Sequence, residues 1–229
     1  KLIQFLNDSG FSKSEITKTN YILVHESGNI VHEIMDFVIV DFVKNYLKKV
    51  DKGDVLDEFS KGVSTYISTS KLRLLNTIKL INDRDSEGLC WFYFKNICCQ
   101  VGSKSISQVF YENLNRKIWA NRIIPQDFVT PDNTKAQFET FCNNLSGMDK
   151  DRFLALQTIM GYLMHRHYYS KEAKAIIFID ENISLDGTAN GGTGKSLLLQ
   201  AIGKCREVVV VDGKNIKVKS WFRNQRVNR

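Results

Sequence analysis

The sequence has few of the residues that break chains or cross-link them. Its 229 residues include 2 prolines and 5 cysteines. The cysteines form no CxxC pair and have no histidines at zinc-finger spacing, so we expect reduced thiols in the core of a cytosolic protein. The longest apolar runs, near residues 37–43 and 175–179, are far shorter than the about 18 residues of a membrane span. We therefore expect no association with a membrane.

Composition and charge narrow the class of protein. Hydrophobic residues make up 43% and charged residues 25%, which excludes a disordered or low-complexity chain. The net charge is +7, and it is uneven, since residues 1–150 hold 19 basic and 18 acidic side chains whereas residues 171–229 hold 11 and 6. A local positive field suits a polyanion such as nucleic acid or a nucleotide. A solvated basic surface without a partner explains the same counts equally well.

Periodicity predicts an α+β region at the start of the chain. We expect a first helix over residues 2–7, two strands over 21–25 and 29–33, and a helix over 34–49 whose apolar face holds Ile34, Phe37, Val38, Phe42 and Tyr46. Further helices are predicted over 55–67, 71–81, 134–144 and 149–167, the last with Asp149 at its acidic start.

A β-hairpin is predicted from two runs rich in aromatic and apolar residues, 89–94 and 97–101. Exposed aromatic rings on it would suit stacking of single-stranded bases, but packing in a core is the favoured interpretation. His165 and His167 are the closest approach to a metal pair. They fall in the predicted helix, where residues two apart point in different directions, so the pattern disfavours a metal site.

Residues 175–196 contain the segment of the sequence that most clearly indicates a function. Residues 175–179 form a continuous apolar run typical of a strand buried on both faces, a polar loop follows, and a helix is predicted from Gly194 to about Gly203. Residues 189–196 are Ala-Asn-Gly-Gly-Thr-Gly-Lys-Ser. They match the Walker A phosphate-binding pattern except that Ala189 replaces the first glycine.

This spacing has a physical reason. Nucleotide phosphates need several backbone N–H groups and the positive end of a helix dipole, and glycines let the backbone curve closely around them. We expect the contacts to come from Asn190, Gly191, Gly192, Thr193, Gly194, Lys195 and Ser196. Lys195 would bind the β- and γ-phosphates of ATP, and the Ser196 hydroxyl would ligate Mg²⁺. The alternative is a glycine-rich turn that binds nothing.

Hydrolysis also needs a carboxylate that positions Mg²⁺ and water, normally after a second buried strand. Asp212 ends the apolar run 208–211 and is the one downstream candidate. It lies close to Ser196 in the sequence, so its strand would directly follow the Walker A helix along the chain. The alternative is that Asp212 only ends a strand before an Asp-Gly turn. The pattern favours this structural alternative.

These motifs resemble the superfamily 3 helicase part of phage and mobile-element primase-helicases, which are relatives of the poxvirus-type primase-helicase. The resemblance is carried by the Walker A segment, by residues 208–214, and by the closing run 221–227, Trp-Phe-Arg-Asn-Gln-Arg-Val. Looser similarity lies upstream, in Tyr93-Phe94-Lys95-Asn96, residues 117–119, residues 123–128 and residues 161–165.

The resemblance implies an ATP-dependent helicase that forms a hexameric ring, moves on single-stranded DNA during replication, and often follows a primase domain. It implies a pre-helicase domain at 1–148, a helical connector at 149–170, and the first half of an α/β P-loop NTPase domain (AAA+/helicase-like) at 171–229. A phage-encoded protein of this kind would act in the host cytoplasm. The family's later acids, sensor and arginine finger would lie beyond Arg229, and we expect the chain, which begins at Lys1, to be part of a longer protein with little hydrolysis of its own. Alternatives are another P-loop kinase or GTPase, or a non-catalytic DNA-binding or ring-assembly module.

Overall fold

The computed structural model describes residues 1–17, 20–79, 84–130, 136–167, 174–179 and 192–211. The chain divides into two units by its internal contacts. Unit 1 comprises Lys1–Asp83 and Gln108–Ile123, and unit 2 comprises Arg84–Ser107 and Ile124–Arg229. Both units combine helices with β-structure, which confirms the mixed α and β class expected from the sequence.

Unit 1 begins with helix α1 and contains most of the strands. Its first elements are α1 (Leu2–Asp8), β1 (Phe11–Glu15), β2 (Tyr21–Ser27), β3 (Ile30–Ile34), α2 (Asp36–Lys49), α3 (Gly53–Lys61), α4 (Val63–Tyr66), α5 (Thr69–Leu72) and β4 (Thr77–Ile78). The chain then supplies the strands of a second sheet, β5 (Leu89–Tyr93), β6 (Cys98–Gly102) and β7 (Ile106–Val109), before β8 (Ile118–Trp119) completes unit 1.

The five strands of unit 1 form a mixed sheet in the order β4-β1-β2-β3-β8. Strands β1, β2 and β3 are antiparallel, and the outer strands β4 and β8 run parallel to their neighbours. The β2–β3 turn consists of Gly28 and Asn29, whose φ angles are 56° and 65°. Two successive positive φ angles are what a two-residue hairpin turn of type I′ requires, and this sequence pair supplies them at low cost. The two strands predicted over 21–25 and 29–33 are thus present as β2 and β3.

Helix α2 is confirmed, but its buried face differs from the predicted one. Ile39 and Val43 are the buried residues of α2, whereas Phe37 is 60% and Tyr46 is 43% exposed. Residues 37–40 are all apolar, so periodicity alone fits more than one stripe along this helix. The core of unit 1 decides between them, and it consists of Leu6, Phe11, Ile39, Val43, Phe59, Ile67, Leu72 and Leu75.

The helix predicted over residues 71–81 is wrong in its described part. The chain instead ends α5 at Leu72 and forms β4, in which Thr77 pairs with Lys13. Long-range hydrogen bonds explain the difference, because the Asn76 carbonyl accepts from Lys13 N at 2.9 Å and Asn76 N donates to Asn7 Oδ1 at 3.0 Å. The helix predicted over 55–67 is present as α3 and α4, which are separated at Gly62.

Unit 2 contains strands β5 and β6 of the second sheet and three helices. Strands β5 and β6 form the predicted antiparallel hairpin, in which Leu89 pairs with Gly102 and Tyr93 with Cys98. Trp91 and Tyr93 are 8% and 2% exposed, so these rings pack in a core and do not present a base-stacking surface. The helices are α6 (Gln137–Leu145), α7 (Lys150–Met164) and α8 (Lys195–Cys205).

Helices α6, α7 and α8 share one hydrophobic cluster, whose buried members are Cys142, Met160, Leu198 and Ile202. The predicted helices over 134–144 and 149–167 are confirmed, although α7 already ends at Met164. The contacts group these helices across the domain boundaries expected at residues 148 and 170, and the division into 1–148, 149–170 and 171–229 stays a prediction.

Candidate phosphate-binding loop

The candidate loop leads into α8 through two glycines in left-handed conformations. Gly192 has a φ of 94° and Gly194 a φ of 89°, and Gly194 caps the helix that begins at Lys195. Other residue types adopt such angles at a cost, so the glycines predicted to curve the loop are required for this backbone path. The first helical hydrogen bond joins Leu198 N to the Gly194 carbonyl at 3.0 Å. The predicted helix start at residues 194–195 is thus present.

Five of the seven predicted contact residues lie in the described part of the loop. Gly192, Thr193 and Ser196 are exposed, and Gly194 and Lys195 are half-buried. The Lys195 ammonium donates to Thr193 Oγ1 at 2.8 Å, which folds the lysine side chain back over the loop. Asn190 and Gly191 lie outside the described residues, as does Ala189.

Helix α6 supports the loop from one side, which the sequence pattern did not indicate. A Cβ on Gly194 would lie 3.1 Å from Phe141 Cζ and 3.3 Å from Leu145 Cδ1. The absence of a side chain at residue 194 therefore lets α6 approach the start of α8. Farther along α8, Leu198 is 1% and Ile202 is 4% exposed, and both belong to the cluster shared with α7.

The electrostatics of the helix start favour an anion. The N–H groups in the first turn of any α-helix have no carbonyl partner within the helix, and the helix dipole adds a positive partial charge there. The first turn of α8 is Lys195-Ser196-Leu197-Leu198, which contributes one positive charge, a hydroxyl and no carboxylate. Together these groups match the chemistry of a phosphate.

The strand predicted immediately before the loop is wrong for residues 175–179. These residues form no strand, and Ile177 and Ile179 are 82% and 76% exposed, although Phe178 packs against the α6–α7–α8 cluster. A strand buried on both faces needs neighbouring strands, and no strand of the described ranges pairs with this segment. Residues 208–211 are likewise exposed and not in a strand, and Asp212 lies outside the described residues, as do 213–229.

His165 and His167 follow α7 and are not part of it, which corrects the predicted helix end. The His167 N–H donates to His165 Nδ1 at 3.0 Å, and the two rings meet edge to face at 6.0 Å. Within the residues that the structure describes, no group of three or more His, Cys, Asp or Glu side chains is arranged to hold a metal ion. The described part of the loop offers the exposed Ser196 hydroxyl as an oxygen ligand for Mg²⁺, which prefers oxygen donors.

Four of the five cysteines lie in the core, as predicted. Cys90, Cys98, Cys99 and Cys142 are buried, Cys205 is half-buried, and all five are free thiols. Burial raises the pKa of Cys99, Cys142 and Cys205 above the usual value. These thiols are therefore protonated near neutral pH and are poor nucleophiles there.

Comparison with known proteins gives no family assignment. The chain matches no protein-family model, and no curated protein or solved structure shows a significant match. Over the described ranges, the structure contains no helix with the length and apolarity that crossing a membrane demands.

Proposed function

We propose that residues 190–196 bind the phosphates of ATP and that the chain is part of an ATP-dependent DNA helicase of the superfamily 3 type. The observation that supports this most directly is the backbone of the loop. Two left-handed glycines lead into a helix whose first residue is Lys195, as the glycine-rich phosphate-binding pattern requires. The backbone path and the packing on α6 explain the glycines by themselves, so the support for phosphate binding comes from their combination with Lys195 and Ser196 in register.

Each loop residue would have its own role in binding ATP and Mg²⁺. Backbone N–H groups at the start of α8 would donate to phosphate oxygens, and Lys195, now bound to Thr193, would exchange that partner for the β- and γ-phosphates. Ser196 would hold Mg²⁺, which would neutralise charge on the phosphates. Asn190 and Gly191 would add further backbone contacts.

The DNA part of the proposal is supported by charge and by the resemblance of the motifs. Residues 171–229 hold 11 basic and 6 acidic side chains, which favours a polyanion near the nucleotide site. A hexameric ring, single-stranded DNA and an upstream primase domain complete the proposal, and they come from the resemblance.

Nucleotide binding is tested with a fluorescent ATP analogue in the presence and absence of Mg²⁺. We expect Lys195→Ala to raise Kd at least about tenfold, which corresponds to about 1.4 kcal/mol. Ser196→Ala should weaken binding only when Mg²⁺ is present. Lys204→Ala removes an equal charge from the last turn of the same helix and should leave Kd unchanged. Equal affinity of the wild type and Lys195→Ala would contradict the assignment of the loop.

Titration of single-stranded DNA at several salt concentrations separates a helicase from a metabolite kinase. A helicase part should bind DNA with an affinity that falls steeply as salt rises, because binding releases counterions from the phosphates. Nucleotide binding without any affinity for DNA would favour the kinase or GTPase alternative. DNA binding that is indifferent to Lys195→Ala and to ATP would favour the non-catalytic module.

A further inference from the structure

A buried polar cluster in unit 2 centres on Asp85. Its carboxylate is 3% exposed and accepts from three donors. Trp91 N donates to Oδ1 at 2.9 Å, Arg166 N donates to Oδ2 at 2.7 Å, and the Cys90 thiol donates to Oδ2 at 3.2 Å. The carboxylate thus ties strand β5 to the segment that follows α7.

Arg206 brings α8 into the same cluster. It is the residue directly after α8, and its side chain is 12% exposed. Its Nε donates to the Met164 carbonyl at 2.7 Å and its Nη2 donates to Cys90 Sγ at 3.0 Å. Nη2 also lies 3.7 Å from Asp85 Oδ2, and the guanidinium stacks over the Phe92 ring at 4.0 Å. One planar group therefore contacts the end of α7 and two residues of β5.

The thiol of Cys90 links the two charges. It donates to Asp85 and accepts from Arg206, and only the protonated thiol has a hydrogen to donate. Burial and the neighbouring Asp85 raise the pKa of Cys90 to about 11, so the thiol keeps its proton near neutral pH. The thiol therefore stays neutral between the Asp85 carboxylate and the Arg206 guanidinium and is hydrogen-bonded to both.

We infer that Arg206 is a positioning residue that fixes α8, and with it the candidate phosphate loop, through its contacts with Asp85 and Met164. The inference rests on the proposed nucleotide site for its functional consequence. The cluster that α8 shares with α6 and α7 is apolar, and apolar contacts are less directional than hydrogen bonds, so they restrain the rotation and axial position of the helix less sharply. The guanidinium contacts are directional and supply that restraint.

The restraint acts over the whole length of the helix. At about 1.5 Å per residue, Lys195 and Arg206 are separated by about 16 Å along a rigid rod. Movement at the C-terminal end therefore moves the start of α8 past Phe141 and Leu145, which already contact Gly194 closely. Loss of the Arg206 contacts should therefore change the position of the candidate phosphate loop, far from the substitution.

The test uses Arg206→Lys and Asp85→Asn, which keep the size of each side chain while removing the forked contact or the negative charge. Met160→Ala is the matched control. It removes a buried side chain of α7 from the hydrophobic cluster under α8 and leaves Arg206 and Asp85 unchanged. For each variant we would measure the thermal midpoint, backbone hydrogen exchange in residues 192–199 and 137–145, and Kd for the fluorescent ATP analogue.

We expect Arg206→Lys and Asp85→Asn to speed exchange in residues 192–199 at least fivefold relative to 137–145 and to raise Kd at least fivefold. Met160→Ala should lower the midpoint as much while changing the two segments equally and leaving Kd within twofold. Unchanged exchange in 192–199, or Kd shifts that the control reproduces, would overturn the inference. A wild type that does not bind ATP would refute the proposed function, and the exchange comparison would still decide whether Arg206 positions α8.

Discussion

Gly194 and Phe141 approach so closely that a methyl group on residue 194 would fit only if Phe141 moved by a few tenths of an ångström. Phe141 Cζ lies 3.1 Å from the place where a Cβ on Gly194 would stand, and Gly194 has a φ of 89°. The glycine thus satisfies two requirements, a left-handed helix cap and close approach to α6. The second requirement comes from packing and exists whether or not a ligand binds.

Gly194→Ala should therefore destabilise unit 2. The left-handed backbone costs alanine about 1 kcal/mol or more, and displacement of Phe141 adds to this. Gly203→Ala on the same helix is the control, because its Cβ would meet Val208 at an ordinary 3.9 Å. It should stabilise α8 by about 0.5–1 kcal/mol. Urea unfolding of both variants checks the opposite signs, and a stable Gly194→Ala protein would disprove the packing argument.

Gly10 offers a parallel test in unit 1. Its φ is 86°, and a Cβ there would lie 2.5 Å from the backbone carbonyl oxygen of Glu26, whose N–H donates to the Gly10 carbonyl. Backbone has no freedom to rotate away, so we expect Gly10→Ala to cost more than about 2 kcal/mol. Gly28→Ala, with a φ of 56° and open space around it, should cost about 1 kcal/mol. If Gly10→Ala and Gly28→Ala lost the same free energy of unfolding in denaturant titrations, the predicted clash with the Glu26 carbonyl would be contradicted.

The thiol of Cys90 predicts a loss of stability in alkali. In the unfolded chain the thiol ionises near its ordinary pKa of 9.0, whereas in the folded protein its pKa is about 11. The contribution of this pKa shift to the free energy of unfolding is therefore complete below pH 9 and is lost as the pH rises towards 11.

Cys90→Ser isolates this effect, because a serine hydroxyl keeps the hydrogen bonds but does not ionise in that range. The difference in unfolding free energy between wild type and Cys90→Ser should be constant below pH 9 and should shift against the wild type above it. A difference that stays constant up to pH 11 would show that the folded protein does not retain the proton.

Local patterns in the sequence were sufficient for the elements whose determinants are local. Gly28 and Asn29 supply the turn between β2 and β3, and Asp149 accepts from Arg152 N at 2.8 Å as the cap of α7. The buried face of α2 was predicted incorrectly because four consecutive apolar residues fit several helical stripes. Strands β4 and β8 have two residues each and depend on partners distant in sequence, so no local pattern indicates them.

The candidate site divides in the same way. The glycines and Lys195 are recognisable because the loop is a short continuous motif. Phe141, which packs against Gly194, and Arg206, which binds Met164 and stacks on Phe92, act through long-range contacts that spacing does not record. The strand predicted over 175–179 was a reasonable interpretation of an apolar run, but a strand forms only where another strand offers hydrogen bonds.

The interleaved order of the two units sets the sequence of events during synthesis. Asn29 Nδ2 donates to the carbonyls of Tyr111 and Leu114 at 3.0 Å, and Ile118 and Trp119 pair with Ile30 and Val31. The edge of β3 must therefore wait for residues made about 90 positions later, which at about 5–20 residues per second is an interval of several seconds. Until then the nascent chain carries an open sheet edge. A chain that ends at residue 83 should be more sensitive to protease than one that ends after residue 123, when each is followed by a linker long enough to clear the ribosomal exit tunnel.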